Sequence, residues 1–175
     1  MIITIDSCLI NSKEKLTEMN ELEELAKKGI IEIVGTERLI QETENHSLRK
    51  AKAESYKNIS EPYTVGKSRI GSFYISGGEG FKFKELALIL FPNKNPLELN
   101  ENESNDVMHL VSHTHSDSEY FVTNNTKDFI DARKTNKNRD GSYLNQKRDE
   151  FNKLGIKVVT PKEMLNIVES KMKEE

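Results

Sequence analysis

Apolar and polar positions follow two periods along this chain, and the changes between them mark its elements. Ile2-Ile3-Thr4-Ile5 is a short, nearly unbroken β-branched run, which predicts a strand buried on both faces. Leu16, Met19, Leu22, Leu25 and Ala26 then recur at helical spacing, so residues 12–28 read as an amphipathic helix that Gly29 stops. Ile30 to Val34 is a second strand with Gly35 as a turn, and Thr36 is placed to cap a helix whose first turn holds Glu37. In that helix Leu39 and Ile40 point inward, and Glu42 lies at the edge of their stripe, where spacing alone leaves it solvated. Phe83 to Phe91 predicts a helix ended by Pro92, followed by a polar, acidic loop over 93–105. Asn105 is placed to cap the next helix, with Asp106 in its first turn and Val107, Leu110 and Val111 buried. Tyr120-Phe121-Val122 is another buried strand, ending in Thr123-Asn124-Asn125.

The last third repeats the pattern. Ser142 to about Leu154 predicts a helix with Gly155 as its stop, and Ile156 to Val159 a final strand. Thr160-Pro161-Lys162-Glu163 is a capping box with proline at the first helical position, opening a helix that buries Met164, Leu165 and Val168. Strands alternating with helices predict an α/β domain with a largely parallel sheet. Residues 56–104 fit least well. Within them, 61–75 suggests a glycine-punctuated hairpin and 76–80 a turn, which lacks the Gly-Lys-Ser/Thr of a phosphate loop.

Length and composition narrow the class. The 175 residues suit one domain, and the net charge of −3 excludes a uniformly basic nucleic-acid binder while leaving room for a local basic patch. No apolar run approaches the roughly 18 residues of a membrane span, and the N-terminus lacks the basic start of a signal peptide. The single cysteine excludes an internal disulfide and fits a reducing cytosol, so a cytoplasmic protein with no membrane association is expected.

The candidate chemistry gathers where the strands end. Asp6 follows the first strand, and Asn125 sits at the tip of the Tyr120–Val122 strand, beyond the carboxyl ends where α/β ligands bind. Asp106 leads the helix that feeds the second of these strands. Grouped carboxylates repel and raise one another's pKa unless a cation lies among them. Their hard oxygens suit Mg²⁺ or Mn²⁺, ions that activate water for displacement at phosphorus. Asp106, His109, His113 and His115 offer a second possibility, a Zn²⁺ site. Cys8 reads as a small buried hydrophobe and interrupts the Asp-x-Asp that a haloacid-dehalogenase-type phosphatase would need. Arg133, Lys134, Lys137, Arg139, Lys147 and Arg148 form a basic stretch around Tyr143, either a solvated surface or a patch that contacts phosphates.

In this order the motifs resemble those of PIN-domain ribonucleases. That family opens with a strand ending in Asp, matched by Ile-Ile-Thr-Ile-Asp-Ser through Ser7. Its next acid lies in a Ser/Thr-x-x-apolar-apolar-x-Glu helix, matched by Thr36-Glu-Arg-Leu-Ile-Gln-Glu42, and a third opens a helix, matched by Asn-Asp106-Val-Met-His-Leu. A strand ending Val-Thr-Asn-Asp with Lys-Asp-Phe after it is matched by Phe-Val-Thr123-Asn124-Asn125-Thr-Lys-Asp128-Phe129, and the tail Leu-Gly-Ile-Lys-Val-Val-Thr-Pro-Lys-Glu is similar to the family's closing strand and helix. The resemblance covers both ends of the chain and fails over roughly 56–104, which reads as an insertion within a single domain of residues 1–175.

It implies a three-layer α/β/α fold with a central, mostly parallel sheet, plus an inserted hairpin and helix region. It also implies a metal-dependent endoribonuclease of toxin or RNA-processing type. Asp6, Glu42 and Asp106 would hold one or two Mg²⁺ or Mn²⁺ ions, Asp128 would be a further ligand, and Ser7 and Thr123 would orient the site. Asn125, which the resemblance groups with Asp6, Glu42 and Asp106 as catalytic, stands where the family often has Asp, and Thr126 is an extra residue before Asp128. RNA is the implied partner, with Arg133, Lys134, Lys137 and Arg139 as contacts; an antitoxin or other protein partner and a homodimer belong to the same expectation. The alternative is a PIN-like scaffold that binds RNA or protein with little catalysis.

Overall fold

In a computed structural model, residues 1–10, 16–59, 77–130 and 146–174 are described. Five strands, β1 (Ile2–Ile5), β2 (Glu32–Thr36), β3 (Lys57–Ile59), β4 (Tyr120–Val122) and β5 (Lys157–Val159), form one sheet in the order β3-β2-β1-β4-β5. Every pairing is parallel, with Ile3 opposite Ile33 on one side of β1 and opposite Tyr120 on the other. The helices are α1 (Thr17–Lys27), α2 (Glu37–Thr43), α3 (Ser47–Ser55), α4 (Gly77–Leu90), α5 (Glu101–Thr114), α6 (Thr126–Phe129), α7 (Gln146–Lys153) and α8 (Pro161–Glu174). This is the expected α/β class, with a wholly parallel sheet among the described residues. No helix among them is long and apolar enough to cross a membrane.

Two apolar cores divide the sheet residues between them, an arrangement compatible with three α/β/α layers. Ile3, Ile5, Ile33 and Val122 pack with Met19 and Leu22 of α1 and Met164, Leu165 and Val168 of α8. Phe121 and Val158 pack instead with residues of α4, α5 and α7. The strand period of two produces this split, since neighbouring residues point to opposite faces. Thr4 lies between Ile3 and Ile5, and its hydroxyl meets His113 Nδ1 of α5 at 3.0 Å, which gives a buried polar group its partner.

Local signals account for most boundaries. Gly29 and Gly155 follow α1 and α7 with φ of 74° and 78°, a backbone conformation that favours glycine at helix ends. Thr36 caps α2 by accepting from Leu39 N–H. At α8, Thr160 N–H donates to Glu163 at 2.8 Å and Glu163 N–H to Thr160 Oγ1 at 3.3 Å, the expected capping box.

Four expectations change. β2 starts two residues later than its apolar run, and Gly35 lies within it, paired with Asn58 of β3. β3 itself was hidden in a polar stretch. α4 includes residues 77–80, expected as a turn. Finally, α5 starts at Glu101, not at Asn105: Asn100 accepts from Glu103 N–H while the Glu103 carboxylate accepts from Asn100 N–H, and this reciprocal box outcompetes the later asparagine. Residues 93–105, expected as a loop, therefore end within the helix. β3 and α4 build the sheet edge and the second core, so both flanks of the 60–76 segment are integral to the domain. The hairpin expected at 61–75 lies outside the described residues.

Candidate functional site

The sheet order reverses direction at β1, where the chain runs outward through β2 and β3 on one side and β4 and β5 on the other. The crevice beyond the carboxyl ends of β1 and β4 is therefore the switch point at which open α/β sheets bind ligands. Asp6 follows β1 and is almost wholly buried. Its backbone N–H continues the ladder to Val122 O at 3.0 Å, which fixes its position against β4. One carboxylate oxygen accepts from Thr123 Oγ1 at 2.6 Å and from Cys8 Sγ at 3.0 Å. Thr123 Oγ1 in turn accepts from Asn125 N–H at 2.9 Å. Thr123 thus fastens the two strand tips together, a geometric basis for its expected orienting role.

Asp106 and Glu42 approach from two helices. α2 starts directly from β2 and carries Glu42, an exposed residue whose Oε1 nevertheless reaches 3.4 Å from the buried His109 Nε2, and α5 brings Asp106, half-buried, within its electrostatic reach. Burial, then the Asp6 charge, and further the charges of Asp128 and Glu42, push the Asp106 carboxyl up to about 7, against the smaller opposing pull of His109. Three other carboxylates therefore act on Asp106 in this crevice. Glu42 behaves differently. Burial would raise its pKa, but the close approach and charge of His109, with hydrogen bonds from Ser7 and Asn105, together hold it below the ordinary carboxylate range. Ser7 lies at the edge of hydrogen-bond range from Asp6 Oδ1, at 3.5 Å, so its hydroxyl stands between the two acids.

Asn125 is occupied with structure. It is the N-cap of α6, and its side-chain oxygen accepts from Asp128 N–H at 3.3 Å. Asparagine is among the best caps, which accounts for its presence at this turn. Asp128 sits in the first turn of α6, half-buried. Lys147 is buried and donates to Leu90 O at 2.7 Å and Asp128 O at 2.9 Å. Arg148 forms a two-pronged pair with Glu163 at 2.9 and 2.8 Å. Both basic residues, read from sequence as members of a phosphate-contacting patch, are thus engaged in holding α7 to its neighbours. Arg133, Lys134, Lys137 and Arg139 lie outside the described residues.

The histidines do not converge. His109 points to Thr36 and Glu42, while His113 meets Thr4 and packs edge-on against Phe121 at a 5.7 Å centroid separation. Burial, then the Lys82 charge, lowers His113 to about 4, which keeps it neutral. His115 is exposed at the end of α5. Cys8 is exposed, contrary to the expected buried residue, although its sulfur contacts Asp6 and Thr123. The sulfur itself is enclosed by these contacts, and that burial, then the Asp6 charge, push the thiol far above its ordinary value, which disfavours a reactive thiolate. The sequence offered His109 only as a candidate Zn²⁺ ligand and Asn105 only as a helix cap; their place beside Glu42 comes from the structure. A buried-face histidine three residues after Asp106 was the available signal.

Among the described residues, no three His, Cys, Asp or Glu side chains converge as a ready-made metal centre. The carboxylates share a field without sharing a point. Their chemistry fits a hard divalent cation nonetheless: the donors are carboxylate, amide and hydroxyl oxygens, and the repulsion that adds to burial in raising Asp106 is what such a cation relieves. No family model and no curated protein matches the sequence, and no solved structure matches the fold.

Proposed function

We propose that this chain is a metal-dependent endoribonuclease of the PIN type, hydrolysing phosphodiester bonds in single-stranded RNA. The observation that supports the reading most is the grouping of Asp6, Glu42, Asp106 and Asp128 around the β1–β4 switch point, where the other three charges act on Asp106. Asp6, Glu42 and Asp106 follow the order of the PIN pattern, and Asn125 stands where that family often has its fourth acid. Asp6, Glu42 and Asp106 would hold Mg²⁺ or Mn²⁺, with Asp128 at the rim. When bound, the ion supplies an activated water and neutralises charge at phosphorus. The chain's own contribution is positional. Thr123 fixes Asp6 at the strand tip, Asn125 sets the start of α6 and so the place of Asp128, and Ser7 links Asp6 with Glu42. Asp106 is half-buried and must release a proton to become a ligand.

A labelled single-stranded RNA incubated with Mn²⁺ tests this. Cleavage should be lost on adding EDTA and in Asp106→Asn, with the fold of the variant retained by circular dichroism. Cleavage that survives both treatments sinks the assignment. A second reading, a PIN-like scaffold that binds RNA or protein without cutting, draws on one observation: the Asn125 amide oxygen is engaged in capping α6 and adds no charge to the pocket. RNA bound in the presence of Mn²⁺ and left intact would favour it.

A further inference from the structure

His109 is fully buried, and its two ring nitrogens face different groups. Nδ1 lies 2.6 Å from Thr36 Oγ1, and Nε2 lies 3.4 Å from Glu42 Oε1. The Thr36 hydroxyl already accepts from Leu39 N–H at 3.3 Å as the cap of α2. A hydroxyl has one proton and two lone pairs. Its proton is free to go to Nδ1, and in that tautomer Nδ1 accepts and the hydrogen sits on Nε2, facing the carboxylate. At 3.4 Å that contact is an ion-pair distance without good hydrogen-bond alignment, and Nε2 has no hydrogen-bond partner. Buried donors without partners are uncommon and destabilising. His113, one turn further along α5, shows the ordinary core arrangement: Thr4 on Nδ1, Phe121 against the ring, and no orphaned nitrogen.

We propose that His109 is the positioning residue of Glu42, linking the Thr36 cap through its imidazole to one carboxylate oxygen and leaving Glu42 one oxygen for a cation. With no exposed surface, His109 cannot itself touch RNA, so its effect passes through Glu42. The arrangement resembles the way metal-site ligands in general are held by a hydrogen-bonded neighbour, whose loss typically lowers metal affinity about 10- to 100-fold. It also ties α2 to α5, so the two helices that carry Glu42 and Asp106 share one buried contact. The assignment rests on the nuclease reading of the pocket.

Two measurements test it. Calorimetric titration with Mn²⁺ alone should show affinity lowered about 10-fold or more in His109→Leu. His109→Gln, whose amide N–H can replace the imidazole donor, should recover most of it. In a Glu42→Gln background, His109→Leu should change nothing further. The metal-free arm uses ¹⁵N spectroscopy of the imidazole, where the Nε2–H tautomer is expected and its signal should move in Glu42→Gln. Equal Mn²⁺ affinity in wild type and His109→Leu overturns the assignment and leaves the nuclease reading standing. Failure of wild type to bind Mn²⁺ overturns that reading instead, and the spectroscopic arm still decides the contact: an imidazole signal indifferent to Glu42→Gln overturns it.

Discussion

Asp106 is the residue on which the pocket's electrostatics converge. Its carboxyl titrates near 7 in the native protein against an ordinary 3.8. Between those values the native state keeps a proton that the unfolded chain has lost. Native protein then binds more protons than unfolded, so stability falls as pH rises through about 4 to about 7. Below the lower value both states hold the proton and the group contributes nothing. Above the upper value the whole penalty is present. Asp106→Asn is neutral throughout, so the metal-free variant should exceed wild type in stability by roughly 2 kcal/mol at pH 8, a figure discounted from ~1.4 kcal/mol per pKa unit for partial exposure. The gap should vanish near pH 4. Denaturant unfolding in EDTA at pH 4, 6 and 8 measures it, and a gap of constant size would show that charge is not its cause. Because a ligand must be ionised, Mn²⁺ affinity should also weaken as pH falls below about 7.

At the scale of elements, the site depends on two helix caps. The reciprocal Asn100–Glu103 box starts α5 a turn ahead of Asp106, and Glu103 is tied further by Lys94. Asn100→Ala should cost about 1 kcal/mol in thermal unfolding. Full stability in that variant would mean that tertiary packing alone holds the helix start. The Asn125 cap of α6 makes a sharper comparison. Aspartate caps as well as asparagine does, so Asn125→Asp should fold, lose metal-free stability through added repulsion, and gain more stabilisation from Mn²⁺ by mass action. Asn125→Ala should lose about 1 kcal/mol with or without the ion. Identical Mn²⁺-induced melting shifts in wild type and Asn125→Asp would place residue 125 outside the ion's reach.

For the whole molecule, the proposed RNA substrate is a polyanion that would have to approach an acidic crevice on a chain of net charge −3. With Lys147 and Arg148 engaged internally, attraction falls to other cations. Arg133, Lys134, Lys137 and Arg139 follow α6 closely in the chain, and α6 starts at the rim of the pocket. Replacing Arg133, Lys134 and Lys137 together by Ala should weaken RNA binding and flatten its dependence on salt, since every phosphate left without its cation keeps about one counterion that binding would otherwise release. A slope of log affinity against log salt equal to that of wild type would exclude these residues from the RNA interface.

Where structure followed from neighbours in the chain, the sequence was sufficient to determine it. The apolar runs Ile2–Ile5 and Tyr120–Val122 became parallel strands at the switch point, Gly29 and Gly155 ended helices, and Thr160–Glu163 formed its capping box. Each depends on burial pattern or on backbone geometry within a few residues, which is what a sequence encodes locally. Asp6 was legible for the same reason, as a position relative to a strand, whereas Glu42 was singled out only by the family resemblance. Only tertiary structure decided that Lys57–Ile59 is a strand, because its stability comes from the ladder to β2 and not from an apolar run of its own. It likewise decided that Lys147 is buried among carbonyls, since a charge run reads alike whether solvated or internally bonded. The contact of His109 with Thr36 joins residues 73 apart, with Glu42 beside them. Periodicity placed that histidine on a helix face, but which other face it meets depends on how helices and sheet pack together, and no local pattern carries that.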